Sequence, residues 1–144
     1  MTSKKQAASD VPKNVLTATA RQVATFDRVK NQLRQLYEEI STLSKKSPDG
    51  AVNRFKLGFV NEKLTEANEL LGNDSRPSTQ FTVFDMDTVP TNSDVVMMLS
   101  QYLDALESWR SGRIHQAGAL WQWYWNIEDG TVFETEKPSR YTDR

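Results

Sequence analysis

Apolar residues recur along this chain at two different periods, and the change of period marks where its architecture changes. Phe26, Val29, Leu33, Leu36, Ile40 and Leu43 follow one another at alternating steps of three and four. On a helix of 3.6 residues per turn these positions form one narrow stripe. The spacing predicts a first helix over about 17–46. A second seam, Leu57, Val60, Leu64, Ala67 and Leu71, is widened near its beginning by Val52, Phe55 and Phe59. Ser47-Pro48-Asp49 fits its start, since Ser accepts from an orphan amide and Pro in the first turn has none to lose. Gly72 supplies the left-handed residue that closes helices. Such a short connection makes the first two helices antiparallel neighbours, unless Asp49-Gly50 lengthens the turn.

Asn73, Asp74, Ser75, Pro77 and Pro90 punctuate a loop over 73–90, in which Phe81-Thr82-Val83-Phe84 has the composition of an edge strand. Thr91-Asn92-Ser93-Asp94 has the capping-box form, and Val95, Leu99, Tyr102, Leu106 and Trp109 make a third seam that ends near Gly112.

Beyond this point the period falls to two. Trp121, Trp123, Trp125 and Ile127 alternate with Gln122, Tyr124 and Asn126, as in a strand with one apolar face. Asp129-Gly130 is a turn signal, and Thr131 to Thr135 is again rich in strand formers. A β-hairpin with a two-residue turn is expected, which sets Ile127 opposite Val132, Trp125 opposite Glu134 and Trp123 opposite Glu136. Three indoles would then lie in a row beside two carboxylates, with Tyr124 and Phe133 on the other face. The fold class that follows is mainly α. It is either a three-helix antiparallel bundle or a long helical hairpin with a third helix, and it carries a C-terminal hairpin. Residues 1–14 lack an apolar period and read as a disordered arm, 15–136 as a single domain, and 137–144 as a frayed tail.

Composition adds little until it is divided. The formal net charge is −1, yet residues 1–46 hold nine Lys and Arg against four acids, while 47–109 hold four against ten. Arg21, Arg28, Lys30 and Arg34 on the first helix could attract phosphate, so a nucleic-acid-associated regulator is the alternative reading. The bland explanation is that the acidic segments lie beside the basic one. The chain holds no cysteine and one histidine, no apolar run long enough for a bilayer, and a polar start. A cytoplasmic protein with neither disulfides nor a membrane span is expected.

The motifs of catalysis are absent: there is no phosphate loop, no paired-histidine helix and no nucleophile elbow. His115 falls in what reads as a connection after Gly112, where a structural role outweighs that of a base. Asp85 and Asp87 are too few oxygens for calcium and suit a turn better. No catalytic residue, metal, cofactor or small-molecule substrate is expected. The tryptophan row reads first as the closure of a core, and any face left open becomes a partner site. The expectation is a non-enzymatic adaptor, inhibitor or assembly subunit that meets another protein or a second copy of itself. Its candidate contact residues are Trp121, Trp123, Tyr124, Trp125 and Phe133.

Overall fold

The computed structural model describes residues 15–139. The expected arm, 1–14, and the last five residues of the expected tail lie outside them. In chain order the elements are α1 (Ala20–Lys46), α2 (Arg54–Ser75), α3 (Asn92–Ser111), β1 (Ile114–Ala117), β2 (Gln122–Trp125) and β3 (Glu134–Thr135). The mainly α class with a small C-terminal antiparallel sheet therefore holds. No helix among the described residues is long and apolar enough to cross a membrane. The chain divides into two compact units, one of residues 26–106 and one drawn from residues up to 25 and from 107 onward.

The first unit is helical. Phe26, Val29, Leu33 and Ile40 of the first seam are buried, as are Leu57, Val60, Leu64, Ala67 and Leu71 of the second and Val95, Leu99, Tyr102 and Leu106 of the third. The stripes thus pack within one chain, and Leu43 at the end of the first seam is exposed. Phe55 is 75% exposed and stacks edge-on against the exposed Phe59 at 5.1 Å, so this pair does not widen the buried side of α2. Ion pairs link Arg28 to Glu66 at 2.6 Å and Glu39 to Lys56 at 3.1 Å. Because partners descend along α2 as they ascend along α1, the two helices are antiparallel. The Arg28 hydrogen bond also holds the Glu66 carboxyl below its ordinary range.

The start of α2 departs from expectation. Asn53 caps it, its Oδ1 accepting from the amides of Phe55 and Lys56 at 2.8 and 3.3 Å. Ser47-Pro48 forms a turn instead, closed by the Gly50 amide on the Ser47 carbonyl at 3.1 Å. That turn caps α3: the Asn92 amide donates to Gly50 at 2.8 Å and the Ser93 amide to Pro48 at 3.1 Å. Thr91 Oγ1 takes the Asp94 amide at 3.2 Å, as the capping-box spacing implies. Gly72 has φ 70, and the regular part of α2 ends there.

The beginnings of α2 and α3 therefore lie side by side, joined also by a bridge between Ala51 and Thr91. Farther along both helices, the Tyr102 hydroxyl donates to Asn68 Oδ1 at 2.5 Å. The two helices run in the same sense, so the arrangement is a helical hairpin plus a third helix rather than an up-down-up bundle. A connection between parallel neighbours must travel back along their length. Residues 76–91 do so without forming the strand expected at 81–84. Asn68 Nδ2 donates to the Thr82 carbonyl, and Asn61 exchanges two bonds with the Phe84 backbone, each at 2.9 Å. Two amide side chains seven residues apart share a helix face. They give this returning segment the backbone partners that a neighbouring strand would otherwise supply.

Asn61→Ala removes both bonds to Phe84 and is expected to lower the unfolding free energy by about 1–3 kcal/mol. Asn73→Ala, on the exposed end of α2, is expected to change it by less than about 0.5 kcal/mol. Urea denaturation of both variants checks the contrast.

Candidate partner-binding surface on the C-terminal sheet

The second unit is built from the two ends of the described chain. Thr19 and Gln22 form a reciprocal cap, each taking the other's amide at 2.9–3.1 Å, which sets the start of α1 at Ala20. Residues 16–18 lie along 126–128, held by the Ala18 amide on the Asn126 carbonyl at 2.8 Å and by Asn126 Nδ2 on the Leu16 carbonyl at 2.9 Å. Asn126 is buried, and its Oδ1 lies 2.6 Å from His115 Nδ1. Since the amide nitrogen already donates to Leu16, Oδ1 must accept, which assigns the histidine proton to Nδ1. His115 is thus a buried residue of β1, not part of a connection, and it holds the start of the described chain against the sheet through Asn126. Its Nε2 is buried without a hydrogen-bond partner.

The sheet has the order β1-β2-β3, so the hairpin gains a strand that the pattern did not announce. β1 pairs with β2 from Ile114 opposite Trp125 to Ala117 opposite Gln122. The register of β2 with β3 also differs: Trp123 faces Thr135 and Tyr124 faces Glu134. The cause lies at the turn. The Gly130 amide meets the Ile127 carbonyl at 3.4 Å, with Gly130 at φ 84, so Glu128, Asp129 and Gly130 make a three-residue loop. One extra turn residue slips the ladder by one place and exchanges the faces of the facing strand. Thr135, not a carboxylate, shares the face of Trp123. The Trp125 amide donates to the Phe133 carbonyl at 3.0 Å, which places Phe133 opposite Trp125 rather than on the face of Tyr124.

The tryptophan row divides accordingly. Trp125 is 3% exposed and packs against Trp109 with ring centroids 5.9 Å apart, while the Arg113 guanidinium covers the Trp109 ring at 4.3 Å. It is a core residue and offers a partner nothing. Trp123, Tyr124 and Phe133 are half-buried. Trp121 lies outside the strand, in the β1–β2 turn, where its amide donates to the Gly118 carbonyl at 3.1 Å and its carbonyl accepts from Gln116 Nε2 at 3.1 Å. Its φ of 54 is a left-handed value that a bulky side chain rarely adopts. The turn holds Trp121 63% exposed, next to Leu120 at 81%. Leu120 carried no periodic signal, because it falls before the alternation begins.

Beside this tip, a groove of about 610 Å³ follows the open edge of β3, lined by Gln122, Trp123, Glu134, Thr135, Glu136, Lys137 and Ser139. Its floor rests on a buried ion pair that sequence reasoning missed. Arg110 Nε and Nη2 donate to the two carboxylate oxygens of Glu107 at 2.9 and 2.8 Å. The remaining guanidinium hydrogens reach Thr135 Oγ1 at 2.9 Å and the carbonyls of Glu136 and Lys137 at 2.7 and 3.1 Å. Glu107 Oε2 also accepts the Ser139 amide at 2.9 Å. Pro138 is buried, so the segment 137–139, expected to fray, is held. Burial alone would raise the Glu107 carboxyl, but its bonds from Arg110 and Ser139 outweigh that and hold it at about 2, against an ordinary 4.5. Only the i, i+3 spacing of Glu107 and Arg110 was visible beforehand, and that spacing is common on solvated helices.

The other candidates separate. Arg21, Arg28 and Arg34 are exposed, but Arg28 is engaged by Glu66, and Lys30 lies over the Phe26 ring at 5.6 Å. Asp85 Oδ1 accepts the Asp87 amide at 2.8 Å in a local turn. Among the described residues no three His, Cys, Asp or Glu cluster as metal ligands would.

A carboxylate depressed from 4.5 to about 2 contributes stability that is present above 4.5 and lost as pH falls through about 2. The stability difference between the protein and Glu107→Gln, read from urea midpoints, is therefore expected to be constant above pH 5. It should shrink as the pH is lowered below 4.5. A difference that stays constant down to pH 2.5 would contradict this assignment.

No family model, no curated protein and no solved structure matches this chain.

Proposed function

We propose that the chain is a non-enzymatic, cytoplasmic interaction protein, an adaptor, inhibitor or assembly subunit, whose contact surface is the tip and open edge of the C-terminal sheet. One observation carries the reading: Leu120 and Trp121 stand out from a turn that holds Trp121 at φ 54. Two large apolar side chains exposed together are costly to leave in water, and a left-handed backbone at a bulky residue adds strain. The first cost is recovered when a partner covers the tip, and the second is what holds the two side chains outward. Indoles dominate the energetics of protein contacts because they offer a large rigid area with one donor. The turn bonds to Gly118 and Gln116 fix the Trp121 backbone before contact, which reduces the ordering cost of association. The groove along β3 continues the same surface through Trp123 and Thr135.

A photoreactive phenylalanine analogue at position 120 is expected to yield one discrete crosslinked protein in extract of the native host. Trp121→Ala is expected to weaken the same association by roughly 30-fold or more, as removal of a central indole does. Association unchanged by Trp121→Ala would remove the tip from the account.

A further inference from the structure

The open edge of β3 has a chemistry that narrows what it can receive. β3 is an outer strand, paired on one side only. Its ladder with β2 uses the backbone of residues 133 and 135, as the bond from Trp125 to the Phe133 carbonyl shows. In an antiparallel pair the intervening residue turns its amide and carbonyl the other way, so those of Glu134 lie at the free edge. One step on, the Glu136 carbonyl already accepts from Arg110, and this ends the available edge. Glu136 follows β3 directly, two residues from Glu134, so an extended continuation of the strand puts the two on one side, and both are exposed. Neither has an ion-pair partner among the described residues. Thr135, and Trp123 beside it on the central strand β2, belong to the opposite face. The groove is therefore two-sided: carboxylates at alternate positions on one side, an indole and a methyl-bearing threonine on the other. Among the described residues, Lys137 is the one cation that lines it.

Building on the contact surface assigned above, we propose that this edge takes a short extended segment of a partner protein with Lys or Arg at alternate positions and an apolar residue between them. Added as a fourth strand, such a segment exchanges backbone bonds with Glu134. Its two cations face Glu134 and Glu136, and the intervening side chain meets Trp123. The two-residue spacing of Glu134 in β3 and Glu136 just beyond it asks for the same spacing of cations in the ligand, which separates this occupant from a merely basic tail. Because the Arg110 bonds fix the Glu136 and Lys137 backbone, the edge is formed before the ligand arrives. Charge and main chain both contribute, so binding weakens with salt but is not abolished by it.

The test uses the full chain and a fluorescent, end-blocked nine-residue peptide alternating Arg and Val, followed by anisotropy. A peptide of the same composition with its arginines in one block is the control. The alternating peptide is expected to bind at least about tenfold more tightly than the block peptide, a difference set by two facing charge pairs and backbone register. Glu134→Lys combined with Glu136→Lys is expected to weaken it by about tenfold or more, and Lys137→Ala to strengthen it about two- to fivefold. Thermal melting confirms that these exposed changes leave the fold intact. Equal affinity for the two peptides, or an effect of Lys137→Ala in the opposite direction, overturns the proposal. So does concentration-dependent self-association abolished by the double charge reversal, which assigns the edge to a second copy. If peptide binding fails while Trp121-dependent association persists, the tip reading stands and this one falls. If the peptide binds and Trp121→Ala changes no association, the reverse holds.

Discussion

The surface presented by the C-terminal sheet depends on the buried pair of Glu107 and Arg110. An ion pair removed from water loses hydration that Coulomb attraction alone does not restore, so it persists only where every remaining donor and acceptor is met. Here they are met by the chain's own ending: Thr135 Oγ1, the carbonyls of Glu136 and Lys137, and the Ser139 amide all bond to the pair. The pair cannot be satisfied without this segment, and β3 is too short to hold it by sheet pairing alone. A polar interaction thereby specifies the path of backbone that apolar packing leaves undetermined.

From this constraint the rest of the unit follows. With residues 135–139 held on α3, β3 can pair with β2, Trp125 is enclosed against Trp109, and the three-residue turn is accommodated. On the other strand edge, Asn126 joins Leu16, Ala18 and His115 in one network and ties the start of the described chain to the sheet. Among what this packing leaves unburied are the β1–β2 tip and the free side of β3. The unit's polar bonds are spent on positioning, and Leu120, Trp121, Glu134 and Glu136 remain exposed.

Much of the helical architecture was legible because it is written locally. The seam from Phe26 to Ile40, the closing Gly72 and the Thr91 cap each follow from a repeating interval or from one residue's conformational freedom. Where a distant segment claims the same backbone groups, the local pattern fails. Ser47-Pro48 has the form of a helix start in isolation, but the amides of Asn92 and Ser93 take the carbonyls of the 47–50 turn, and the helix begins after Asn53 instead. The parallel course of α2 and α3 was hidden for the same reason, since Asn61 and Asn68 look like ordinary surface amides until the returning loop is laid over them.

The site was legible in composition but not in placement. Alternation announced a strand through the tryptophans, yet it ran on through Trp121, where Gly118 has already turned the chain. Asp129-Gly130 marked the correct turn, and one additional residue in it reversed which side chains share a face. The most direct test of the central claim is amide hydrogen exchange at Ser139, read by NMR in the protein and in Arg110→Met. The account predicts a protected Ser139 amide that becomes freely exchanging in the variant, together with loss of protection at Trp125, while Leu64 and Leu99 keep theirs. A Ser139 amide that exchanges as fast as an open loop in the unaltered protein would contradict it.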